Sequence, residues 1–269
     1  MFAQATLPHA RTCGGTLARL SEADALSSWT TSRDLRRWFP QGIFATQMRG
    51  RLGVTLLLLY LRLARLPSLP SSVVDAATER EFSSAADPLL AGDVASIPEP
   101  RLDFLRWLAE NRAVVFHGSP CDDLTELSTE RQSRDSTAWG DQEAVYASSD
   151  PVWAIYFACL RRDRGWSGTR NGSLGARGGP LYPRRYFFLH NHGSASPDRF
   201  GPGSLYLLAP DTFVADAPLA GVLDTAHLVS RVPVRPLARL DVTPEDFPFR
   251  GRIGYFRKRE PVWISLFRA

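Results

Sequence analysis

The sequence predicts an α+β protein built on antiparallel sheet. Three observations predict it. Past residue 100 short apolar runs outnumber helical patterns, strands and helices do not alternate, and turn residues separate the runs at short intervals. At 269 residues, 44% hydrophobic and 22% charged, the chain has ordinary globular composition and is long enough to bury a sizeable core.

The first hundred residues differ from the rest. Ser21 before Glu22-Ala23-Asp24 and Ser32 before Arg33-Asp34-Leu35 predict two short helices, because a side-chain oxygen there accepts an orphan backbone N–H. Leu52 to Leu61 is an apolar run closed by Arg62. Its roughly ten residues fall short of the ~20 a bilayer requires. Met48, Arg49 and Arg51 ahead of it resemble a secretory leader, but no small-x-small cleavage site follows. A buried or amphipathic helix is expected, with a signal or anchor as the alternative. Residues 67–100, rich in Pro, Ser, Ala and Asp, read as a linker. The expected division is residues 1–98 as an N-terminal helical region and linker, 99–260 as the principal domain, and 261–269 as a tail.

Leu102, Leu105, Trp107 and Leu108 predict a short amphipathic helix, and Ala113 to His117 a buried strand ending at Gly118. A second strand covers Ala144-Val145-Tyr146-Ala147. Asp150-Pro151 opens a helix running to about Arg162, with Asp as cap and Pro at the first helical position. Trp166 to Pro180 holds five glycines and reads as a loop. Strands are expected at Tyr186–Leu189, Ser204–Leu208 and Val234–Val242, and Thr243-Pro244-Glu245-Asp246 repeats the cap-then-proline device.

Composition excludes some chemistry. Of the 32 basic residues, Lys258 is the only lysine, and it lies between Arg257 and Arg259. That removes a P-loop, which needs Gly-Lys-Ser/Thr, and leaves Schiff-base chemistry one tail residue. Residues 1–100 carry 10 Arg against 9 acids, so no basic arm for nucleic acid is present. Three cysteines, Cys13, Cys121 and Cys159, argue by odd number against a disulfide framework and for a reducing compartment. A cytoplasmic location is expected, with secretion as the alternative. His190-Asn191-His192 has the spacing of a metal pair but lacks a companion motif, so no metal is expected. No Gly-x-Ser-x-Gly elbow is present for a serine hydrolase.

Two segments carry the candidate chemistry. His117-Gly118-Ser119 follows a strand: the imidazole leaves the sheet, Gly118 leaves room for a ligand at the backbone, and Ser119 adds a hydroxyl. Tyr146 to Ala158 delivers a strand into a capped helix that presents Ala154-Ile155-Tyr156. Read alone, His117 can simply close a strand, and Tyr156 can be one more core aromatic.

In this order and spacing the two segments resemble the ADP-ribosyltransferase superfamily, in the branch whose signature is His, Tyr and a carboxylate. The resemblance covers about residues 100–250. It implies a split antiparallel fold binding NAD in a cleft, and cleavage of the nicotinamide–ribose bond through an oxocarbenium-like transition state. It implies that His117 binds the adenosine ribose, that the Gly118 backbone holds the carboxamide, and that Tyr156 stacks on the nicotinamide. Ser119, Tyr146 and Ser148 would line the NAD site. The family places a Glu, Asp or Gln at the edge of a late strand. Asp224 is the nearest carboxylate here, with His227 close by and Asp211 and Asp216 further off. Asp224 therefore completes the expected catalytic set of His117, Tyr156 and Asp224. The acceptor is a protein, a nucleic acid or a small molecule, and a toxin-like bacterial enzyme fits the pattern. The alternative is the same fold with a degraded site, acting as a nucleotide- or protein-binding module.

Overall fold

The computed structural model describes residues 51–71, 74–93, 97–130, 142–161, 168–176, 183–191, 199–216, 223–257, 260 and 262–268. The helices expected at Ser21 and Ser32 lie outside them. The protein is α+β, with two sheets and few helices. The larger sheet has six strands in the order β6 (Phe213–Ala215), β8 (His227–Ser230), β2 (Val145–Ser148), β1 (Val115–Ser119), β5 (Gly203–Leu208) and β9 (Ala238–Val242). All of its pairs are antiparallel. The smaller sheet runs β10 (Gly254–Phe256), β4 (Arg185–Asn191), β3 (Thr169–Ala176) and β7 (Leu223–Asp224). Its β10–β4 pair is parallel.

Helix α4 (Pro151–Cys159) lies on the larger sheet and also reaches β3. Asp150 caps it, the Oδ1 accepting from the Val152 N–H at 3.0 Å, with Pro151 at the first turn as expected. Seven of its nine residues are buried, which is why its sequence lacks a polar face. Its small residues rest on glycines. A Cβ on Gly118 would stand 1.8 Å from the Ala154 carbonyl oxygen, and one on Gly203 2.0 Å from that of Ala158. On the other side β3 offers a buried polar row at alternate positions, Thr169, Asn171 and Ser173. Tyr156 Oη shares a hydrogen bond with Thr169 Oγ1 at 2.7 Å, and Trp153 Nε1 donates to Asn171 Oδ1 at 2.7 Å.

Helix α1 (Arg51–Leu63) confirms the expected apolar helix, with Leu61 buried and Leu56, Leu59 and Leu63 exposed. No helix among the described residues is long and apolar enough to cross a membrane. The linker reading of 67–100 fails over Ala76–Leu90, which forms helix α2, capped by Asp75. Its apolar residues are sparse but fall on one face: Phe82, Ala86 and Leu89 enter the same core as helix α3 (Arg101–Asn111). The Phe82 ring meets Phe104 at 5.3 Å and Trp107 at 5.9 Å. Packing therefore runs across the expected boundary at 98.

Within the glycine-rich stretch taken as a loop, Thr169–Ala176 forms β3, and 166–167 and 177–180 lie outside the described residues. The glycines of β3 make room for large neighbours: the Phe187 ring covers Gly172 and the Arg184 guanidinium covers Gly175. The last capped turn is a 3₁₀ turn at Pro244–Asp246, closed by a capping box between Thr243 and Asp246. Tail helix α5 (Val262–Ser265) completes the elements. Cys159 is a free, buried thiol, whereas Cys121 is disulfide-bonded. An odd count leaves one thiol over but does not prevent one bridge.

Candidate functional site: a split between two strands and a buried ionic cluster

Strands β1 and β2 share one register pair, Phe116 opposite Ser148, whereas β1 stays paired with β5 from Val115 through Ser119. Past Phe116 the two strands part, and the His117 imidazole occupies the opening. Its Nδ1 lies 2.6 Å from the Tyr146 carbonyl oxygen, so Nδ1–H donates there. His117 and Tyr146 are both half-buried. The Tyr146 hydroxyl is engaged with the Gln142 backbone. Ser119 Oγ accepts from the Cys121 N–H at 3.1 Å and shapes the turn after β1.

The pleat sends Val115, His117 and Ser119 to one face of the sheet and Phe116 and Gly118 to the other. On the Gly118 side the helix backbone fills the space a side chain would need. The missing Cβ thus serves the packing of α4 rather than the approach of a ligand to that face.

A second group of expected residues gathers at the step between the sheets. Ser148 is fully buried and its Oγ accepts from the Asp150 N–H at 2.9 Å. Beside it His227 begins β8, opposite Ser148 in register. Strand β7 belongs to the smaller sheet and β8 to the larger, so Asp224-Thr225-Ala226 carries the chain across. Ala226 adopts φ 60, a left-handed conformation, held by its N–H donating to Asp224 Oδ1 at 2.8 Å. Arg184 locks the crossing: Nη2 donates to Asp224 Oδ2 at 2.6 Å, and Nη1 to the Asp224 carbonyl at 3.3 Å and to Ser173 Oγ at 3.1 Å. Its Nε lies 3.8 Å from Asp150 Oδ2.

Burial sets the protonation of this cluster. It raises the Asp150 pKa, against the pull of Arg184. Burial, followed by the Arg184 charge, lowers His227 to about 4, so the ring is neutral near pH 7. His227 Nε2 has no hydrogen-bond partner among the described residues, and its ring lies 4.5 Å from that of Trp153.

Tyr156 stands apart from both groups. It is 0% exposed, surrounded by Phe157, Phe188, Phe200 and Phe247, and its hydroxyl meets Thr169 and His190 Nε2 (3.0 Å). A fully covered ring has no face open to a nicotinamide, because α4 is buried on every side. His190 is thereby spent on a tyrosine; its companion His192 lies outside the described residues. Among the described residues no group of three or more His, Cys, Asp or Glu could hold a metal ion.

Sequence reasoning placed His117 and Tyr146 on strands, as observed, but gave no part to Arg184 or to the second carboxylate oxygen of Asp150. Asp150-Pro151 announced a cap, and a capping aspartate keeps one carboxylate oxygen for another partner. Nothing in the local sequence of Arg184 ties it to Asp224, 40 residues away. The chain matches no protein-family model, no curated protein sequence and no solved structure.

Proposed function

We propose that the chain is an ADP-ribosyltransferase-like protein that cleaves the nicotinamide–ribose bond of NAD and passes ADP-ribose to an acceptor. The observation that carries the reading is the direct packing of the two segments behind the resemblance: Gly118 of the His-Gly-Ser turn lies beneath Ala154 of the Ala-Ile-Tyr helix. Segments some 30 residues apart are thus one structural unit, next to an opening between strands where His117 sits. His117 would bind the ribose from the opening between the strands. The ring wall falls to half-buried Tyr146, because Tyr156 is covered. Asp224 keeps 36% of its side chain exposed and is the carboxylate for the developing oxocarbenium charge. Its pairing with Arg184 fixes its direction and dilutes its charge.

The second reading, a binding module with a degraded site, is favoured by that same pairing and by the burial of Tyr156. Nicotinamide release from NAD by the full chain, measured beside NAD binding, separates the two. Release that His117→Ala and Asp224→Asn abolish supports the enzyme. Binding without release supports a nucleotide-binding module, and NAD that neither binds nor turns over removes the enzyme and leaves the protein-binding module.

A further inference from the structure

The geometry points to a phosphate-binding site at Arg199, beside the C-terminal end of α4. Arg199 keeps 8% of its surface exposed, and its Nε and Nη1 are buried with no hydrogen-bond partner among the described residues. Arg161 is held next to it, its N–H donating to the Arg199 carbonyl at 2.7 Å, while Leu160 and Phe200 form a β-bridge. The Arg161 guanidinium lies over Gly201 and donates to the Pro202 carbonyl. Neither arginine forms an ion pair with a described carboxylate.

A buried guanidinium with unmade hydrogen bonds is costly unless a counter-charge reaches it. The backbone pairing of Arg161 with Arg199 sets a second arginine on the neighbouring strand, and neither has a carboxylate partner among the described residues. His190 stacks on Phe200 at 5.9 Å, and its Nε2 is already engaged by Tyr156. Burial and then the Arg199 charge hold His190 neutral near pH 7, so it adds no second buried cation. An anion with several acceptor oxygens would meet the requirement of Arg199 Nε and Nη1, and arginine forks suit phosphate. The phosphate can be free or carried by a nucleotide. The inference does not rest on NAD cleavage.

The test is thermal unfolding of the full chain with inorganic phosphate, pyrophosphate or NAD, against sodium chloride of equal ionic strength. Pyrophosphate at ~100-fold over its dissociation constant is expected to raise Tm by about 5 °C. Arg199→Met is expected to lose that shift while its own Tm stays level or rises, since an apolar side chain removes the unpaired charge. Arg161→Gln, which leaves the buried position intact, is expected to weaken the pyrophosphate effect about tenfold in concentration. Protection by pyrophosphate and NAD alike places a nucleotide phosphate in the site. Protection by phosphate or pyrophosphate alone identifies the free anion and leaves the NAD reading to its own assay. No shift beyond that of chloride, or a shift that survives in both variants, overturns the inference.

Discussion

Gly118 and Ala154 touch backbone to backbone: the strand carrying His117 has no space for a methyl group beneath the helix carrying Tyr156. Gly118→Ala is therefore expected to force α4 off the sheet. A destabilisation of about 3 kcal/mol or more is expected, at the upper end of overpacking costs, because the opposing atoms are backbone and cannot swing aside. Urea midpoints for the two proteins measure it. An unchanged midpoint would show that the helix is not seated on β1.

Arg184 and Asp224 should respond unequally to removal. Arg184→Met leaves Asp150 buried without its cation and is expected to cost about 3 kcal/mol. Asp224→Asn, with the carboxylate a third exposed, is expected to cost about 1 kcal/mol. If Asp224 is the catalytic carboxylate, Asp224→Asn removes nicotinamide release while the fold survives. Equal unfolding midpoints for the two variants would contradict the clamp.

Tyr156→Phe retains the ring and removes the hydroxyl that joins Thr169 to His190. A loss of about 1–2 kcal/mol is expected, with NAD chemistry unaffected. Loss of turnover without loss of stability would place the hydroxyl in the reaction instead.

Stability should fall in mild acid. His190 and His227 are both held at about 4, against about 6.5 in an unfolded chain. The unfolded state binds their protons first. Their contribution is full above about 6.5, declines as the pH drops towards 4, and then levels off. The decline is on the order of 3 kcal/mol for each histidine at most. Asp150 acts in the opposite sense: its raised pKa favours the folded state below the ordinary carboxylate range and loses that share as pH rises through it. Urea midpoints at pH 7 and pH 4.5 should differ, and His190→Gln should flatten the difference. Equal wild-type midpoints would refute both assignments.

Burial, the largest cause, pushes the Cys159 thiol up to about 12. Iodoacetamide at pH 8 should leave Cys159 unmodified in the native chain and alkylate it in denaturant, as read by peptide mass. Rapid native labelling would mean that the end of α4 opens.

The legible parts of the sequence were those whose chemistry is local. Asp150-Pro151 and Thr243-Pro244 marked their caps because capping joins residues two or three apart. The apolar runs around Phe116, Tyr146 and Leu207 marked strands because alternate residues share a face. Helix α2 escaped because its three core contacts are diluted by alanine, serine and charge, so only its partners Phe104 and Trp107 reveal its buried face. Strand β3 escaped because its glycines, turn signals when read locally, are spaces for Phe187 and Arg184 arriving from β4 and the segment before it.

The α+β class, the capped helix, and the two segments His117-Gly118-Ser119 and Ala154-Ile155-Tyr156 are legible in the local pattern of the chain. What those segments face is set by the tertiary structure. It covered Tyr156, set Gly118 against a helix backbone, tied Asp224 to Arg184, and left Arg199 buried without a counter-charge among the described residues. The reason is physical: burial and ion pairing depend on segments meeting across tens of residues, and no local pattern encodes which polar group will stand opposite another.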